Sequence, residues 1–159
     1  MIHNNLEQDL KIHKLIFFMM AGMLVVYLSI CLIMGKELQQ PLDETTRIQT
    51  RTAFYIIAIL VFPLTNLIRH VQLKLNQTMP LTLSNYRIEA KKRYLLTVII
   101  SACFIESLGV LGFVLFMFGD DSNNLFILTG LSAMGLFLYR PKLEEYATIV
   151  ELLAHKSNE

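Results

Sequence analysis

The sequence predicts an all-α membrane protein: four transmembrane helices arranged as two helical hairpins, followed by a C-terminal amphipathic helix. Three observations predict it. Four apolar stretches, at 15–35, 52–68, 94–119 and 122–139, hold a single Asp, Glu, Lys, Arg or His among them, Glu106. Hydrophobic residues make up 54% of the chain and charged ones 17%, with mean hydropathy +0.50, too apolar for an ordinary soluble domain. Basic residues are distributed unequally among the segments between the stretches, as in proteins with a fixed orientation in a bilayer. Residues 1–159 therefore read as one membrane domain.

Residues 1–14 are polar, with Leu6, Leu10 and Lys14 at helical spacing, and read as an amphipathic lead-in at the membrane surface. The first span, 15–35, is 21 uncharged residues, longer than the apolar core of a signal peptide. Its exit, IMGKELQQ, has no small-x-small cleavage pattern, so it is expected to be a retained helix. Residues 36–51 read as a loop of mixed charge broken at Pro41. The second span, 52–68, contains Pro63, which removes a backbone donor and is expected to kink the helix. Thr65 and Asn66 follow directly, placed to bind the freed carbonyls or to line a pathway.

Residues 69–93 carry six of the fourteen basic residues and are divided by Pro80. SNYRIEAKKR, with Ser84 as N-cap, reads as the helical entry to the third span. Its cluster Arg87, Lys91, Lys92 and Arg93 is expected to face anionic lipid or a partner protein. The third span, 94–119, is 26 residues and would rise about 39 Å, more than the ~30 Å hydrocarbon core. GDDSNN makes a tight acidic turn into the fourth span, 122–139. There Thr129, Gly130, Ser132, Ala133 and Gly135 would let helices approach closely. After Arg140-Pro141, residues Leu143, Tyr146, Ala147, Val150, Leu153 and Ala154 recur at helical spacing. They predict an amphipathic helix over 141–155, lying on the membrane or docking on a partner.

Trp is absent, so an interfacial belt would rest on Tyr27, Tyr55, Tyr94 and Tyr139. Cys31 and Cys103 lie inside apolar runs without metal-ligand spacing and read as buried packing residues. With both termini cytosolic, 11 Lys and Arg lie inside and three outside, which fixes the expected orientation in a bacterial inner membrane. Similar endings, Ile33-Met34-Gly35 beside Met117-Phe118-Gly119 and Leu67-Ile68-Arg69 beside Leu138-Tyr139-Arg140, fit two hairpins of like plan.

Several function classes are excluded. A net charge of +1 offers no basic field for nucleic acid. There is no Gly-rich phosphate loop, no HExxH and no nucleophile elbow, so neither an enzyme nor a metal or cofactor site is expected. What remains is Glu106, near the bilayer midplane, where a charged carboxylate costs about 2.5–3.5 kcal/mol. It must be protonated, paired or facing water. Candidate polar partners are Tyr27, Ser29, Asn66, Thr129 and Ser132. Three readings follow: a packed hydrogen-bonding acid, a proton- or cation-binding site, or an interface carboxylate awaiting a basic group on a partner.

Residues 104–116, FIESLGVLGFVLF, resemble the carboxylate helix of the proteolipid c subunits of rotary ATP synthases and vacuolar-type ATPases. Glu106, Leu108 and Gly112 match its pattern, and Gly109 matches the vacuolar version. The resemblance implies that Glu106 is an ion carrier and Ser107 an accessory ligand. It covers 13 residues; Leu111 stands at the usual Tyr position, and a fourth span follows the acid. The function expected from the whole sequence is that of a small non-enzymatic membrane subunit, acting through helix–helix contacts in a homo-oligomer or with another membrane protein. A proton- or cation-translocating element and a membrane immunity protein are the alternatives.

Overall fold

The computed structural model describes residues 2–80 and 85–156. It is built of helices α1 (Ile2–Leu38), α2 (Glu44–Thr78), α3 (Tyr86–Met117), α4 (Ser122–Leu138) and α5 (Leu143–Lys156), with no strand among the described residues. Helices α1, α2 and α3 are long and apolar enough to cross a membrane. The apolar α4 has 17 residues and rises only about 25 Å.

Helix α3 is the axis of the molecule. Helices α1, α2 and α4 pack along it, and α5 packs at its N-terminal end. Small residues make this possible. A Cβ on Gly109 would lie 2.3 Å from Leu24 Cδ2 of α1, and one on Gly135 would lie 2.7 Å from Ile105 Cγ2 of α3. At the latter crossing the Ser132 hydroxyl donates to the Ile105 carbonyl at 2.8 Å. Lipid tails are as apolar as leucine, so close packing and such bonds, rather than water exclusion, hold membrane helices together. Ser132 and Gly135 thus pack on α3, whereas Gly130 meets open space and Ala133 is exposed.

The expected pair of hairpins is corrected. Only α3 and α4 form a packed hairpin; α1 and α2, though consecutive, barely touch and straddle α3 instead. Residues 39–43 hook over the α3–α4 turn, where Gln40 N donates to Met117 O at 2.8 Å and Leu42 N to Phe118 O at 3.1 Å. Gly119 takes φ +81 there, and Pro41 lies 2.9 Å from the position of an added Cβ, so only glycine suits the turn. The loop expected over 36–51 is shorter than its composition implied. Asp43 caps α2, accepting from Thr46 N at 3.0 Å, and starts the helix eight residues before the apolar run. That hydrogen bond also holds the Asp43 carboxyl below its ordinary range.

Pro63 lies inside α2 and frees the carbonyl of Ile59. Thr65 Oγ1 bonds Val61 O instead, at 2.7 Å, and Asn66 is exposed, so neither serves the freed group. The N-cap of α3 is Asn85, whose side chain accepts from Arg87 N at 3.0 Å; Ser84 lies outside the described residues.

The C-terminal helix is also corrected. Tyr146, Ile149, Val150 and Leu153 are buried against Leu10, Ala90, Tyr94 and Val98, so the apolar face of α5 docks within the chain. The same packing takes in the N-terminal segment: α1 runs unbroken from Ile2 through the first span, and Leu10 and His13 are buried. Two tyrosines expected at the interface, Tyr94 and Tyr139, are buried. Cys31 is buried as expected, but Cys103 is exposed, and both are free thiols.

Candidate functional site

Helix α3 holds Glu106 half-buried, on a face whose neighbours one turn away, Cys103 and Val110, are exposed. The carboxylate makes no hydrogen bond or ion pair among the described residues. Tyr27 of α1 lies within electrostatic range of it, its ring 5.8 Å from that of Phe113. The other expected partners point elsewhere. Ser107 Oγ bonds the carbonyl of Phe104 at 2.6 Å, Ser29 Oγ that of Val25 at 2.7 Å, and Ser132 Oγ that of Ile105. Thr129 Oγ1 is buried between α1 and α4 without a hydrogen-bond partner among the described residues. Asn66 lines a separate pocket with Arg69 and His70. Of the residues expected around the acid, the fold brings Tyr27 alone to its side.

A denser polar arrangement lies where α5 meets the bundle. Arg69, 5% exposed, donates to Glu145 Oε2 at 2.6 Å and to Tyr139 O at 3.2 Å. Tyr94, fully buried, donates to Glu145 Oε2 at 3.1 Å, and its phenol oxygen accepts from Lys142 N at 2.7 Å. Behind Tyr94 lies buried His13, with each ring nitrogen 3.1 Å from a carbonyl oxygen, those of Asp9 and Lys91. A neutral imidazole can donate to one of these and a protonated one to both. The ring sits between Tyr94 and Tyr146, with centroids at 5.3 and 5.6 Å. Tyr146 donates to Asp9 Oδ2 at 3.3 Å; burial and then the nearby carboxylate push its phenol above the ordinary range, so it stays a donor.

No family model, curated protein or solved structure matches the chain. The site is therefore read from its own chemistry.

The network joins α1, α2, α3 and α5, and its charges are matched in pairs: Arg69 with Glu145, and Lys91 with Asp9 at 3.3 Å. It borders a pocket of about 330 Å³ lined by Asn66, His70 and Tyr139. The arrangement ties helices together. The basic cluster of 87–93 is divided by the fold. Lys91 is bound to Asp9, and Arg93 pairs with Glu89 at 2.9 Å while donating to the carbonyls of Asn76, Met79 and Pro80. Lys92 stays exposed and Arg87 half-buried. No group of three or more potential metal ligands occurs among the described residues.

Sequence reasoning missed Asp9, His13, Arg69 and Glu145 as partners. Each lies in a polar segment read for orientation or amphipathicity, and the contacts Asp9–Lys91, His13–Lys91 and Arg69–Glu145 join positions 82, 78 and 76 residues apart, as Arg51 and Asp120 are joined 69 apart at the opposite end. A weak signal existed: charged residues directly bordering apolar runs need partners once a helix covers them.

Proposed function

We propose that this chain is a four-span, non-enzymatic protein of the bacterial inner membrane, with both termini cytosolic, working by helix–helix contact in an oligomer or larger membrane complex. The observation that carries the reading is Glu106. It stands half-exposed on the flank of α3, away from the paired charges of the α5 end, with no hydrogen bond or ion pair among the described residues. A midplane acid facing lipid costs about 2.5–3.5 kcal/mol, a cost removed when another helix covers it with a basic group. Its exposed neighbours Cys103 and Val110 are compact enough to admit such a helix.

The test is purification in mild detergent, comparing the wild type with Glu106→Gln for size and co-purifying protein. The wild type is expected to run as an oligomer or with a second membrane protein, and the Gln variant to lose that association while keeping its helicity. Association unchanged in the Gln variant would overturn the reading. A monomeric wild type whose cation flux in proteoliposomes is lost in the Gln variant would support ion translocation instead.

A further inference from the structure

Helices α1 and α4 both rest on α3 and leave a groove between them on the outside of the bundle. At the α5 end the groove opens into a cavity of about 1080 Å³, bordered by Lys14, Arg140, Lys142 and Glu144. Phe17 and Phe137 form part of its wall and belong equally to a second cavity of about 380 Å³, which continues between α1 and α4. This second part is apolar, walled by residues such as Ala21, Leu28 and Ala133. From Phe17 to Leu28 helix α1 rises about 16 Å, close to half of a ~30 Å hydrocarbon core and so to the depth of one leaflet.

The mouth is electrostatically unfinished. Arg69, Lys91 and Arg93 nearby are all paired with carboxylates. The side chains of Lys14, Arg140 and Lys142 make no hydrogen bond or ion pair among the described residues, and Glu144 is the one acid lining the mouth. The Arg140 guanidinium lies 4.7 Å over the Phe137 ring, which sets it at the lip of the apolar slot. A basic rim above a slot one leaflet deep matches an amphiphile with an anionic head. A second helix in the slot would leave the cations without counter-charge, and a free anion would leave the slot empty.

We propose that this groove binds one anionic glycerophospholipid, its phosphate held by Lys14, Arg140 and Lys142 and one acyl chain lying between α1 and α4. The site is independent of the reading of Glu106.

The test is native mass spectrometry of the full chain in mild detergent, with phosphatidylglycerol and phosphatidylcholine supplied at equal concentration. Phosphatidylglycerol is expected to be retained over phosphatidylcholine. Because each basic residue contributes roughly five-fold to binding an anionic surface, Arg140→Gln with Lys142→Gln should lower retention about 25-fold. Ala133→Phe, at an exposed position on the slot wall, should abolish acyl-chain retention without changing any charge, and circular dichroism should show both variants folded. Equal retention of the two lipids would overturn the proposal. So would an Ala133→Phe variant that binds like the wild type, or thermal protection by inorganic phosphate equal to that by phosphatidylglycerol. A wild-type dimer dispersed by Ala133→Phe would assign the slot to a second copy and overturn it as well.

Discussion

Two acidic side chains, Glu106 and Glu145, show how the same group takes opposite roles. Glu145 is held by Arg69 and Tyr94 in a corner with 20% of its side chain exposed, and the Arg69 side chain is 6% exposed. Withdrawing two charges from water costs several kcal/mol each, which the pair recovers only with both partners present. Arg69→Met should therefore destabilise the protein by about 3–5 kcal/mol, since Glu145 would keep its burial and lose its counter-ion. Arg69→Met combined with Glu145→Leu should regain most of that loss, leaving Tyr94 short of one acceptor. Unfolding in detergent followed by circular dichroism measures both. A double variant as unstable as the sum of the singles would show that the two side chains act independently. Glu106 has no such partner among the described residues.

At the scale of the helix, the protein contains two kinds of core. Between α1, α2, α3 and α4 the packed residues include Leu24, Ala58, Ala102, Ile105 and Leu128, and their contacts compete with lipid of similar polarity. Between α5 and the adjoining helix ends, Leu10, Ala90, Tyr94, Tyr146, Ile149 and Leu153 form a second cluster next to the polar network. Under the proposed topology water is the competing medium there, and burial contributes roughly 25 cal/mol per Å². Ile149→Ala and Leu153→Ala, both at fully buried positions, should each cost about 2–5 kcal/mol. The loss should be local: protease cleavage within 143–156 should rise while the spans stay protected. Unchanged cleavage would mean that α5 is held by its ion pair rather than by its apolar face. The helix itself was legible, because Tyr146, Val150 and Leu153 recur at the helical period. Its destination was not: a 3.6-residue stripe records that a face is buried and carries no information on what buries it. The straddling of α3 by α1 and α2 was illegible for a related reason, since every apolar span has a continuous lipid-compatible surface and the choice of neighbour falls to a few glycines. Gly109 and Gly135 make their close contacts with Leu24 and Ile105, at distances in sequence that no local pattern encodes.

At the scale of the molecule, the fold brings the N-terminal part of α1, the end of α2, the start of α3 and α5 to one end. Lys91 reaches Asp9 there, Lys142 bonds Tyr94, and the Lys156 ammonium donates to the carbonyls of Gln77 and Thr78 at 2.8 Å each. The other end carries the 39–43 hook and the Arg51–Asp120 pair. Of the fourteen basic residues, 11 belong to the first end and three to the second, an asymmetry that under the proposed topology puts the first end in the cytosol. Reporter fusions after Asn5, within 76–82 and after His155 should therefore all read cytosolic, and one within 40–46 external. The fusion after His155 is the discriminating one, because it asks whether the 17-residue α4 crosses. Its rise of about 25 Å falls a few Å short of the hydrocarbon core, a mismatch that local thinning of the bilayer and polar residues at the helix ends can absorb at fractions of a kcal/mol per Å. Were α4 to stay on the external side, α5 would be stranded there, and Tyr94 could not meet Lys142 and Glu145. An external signal after His155 with a cytosolic one within 76–82 would thus break the α3–α5 interface and the four-span topology together.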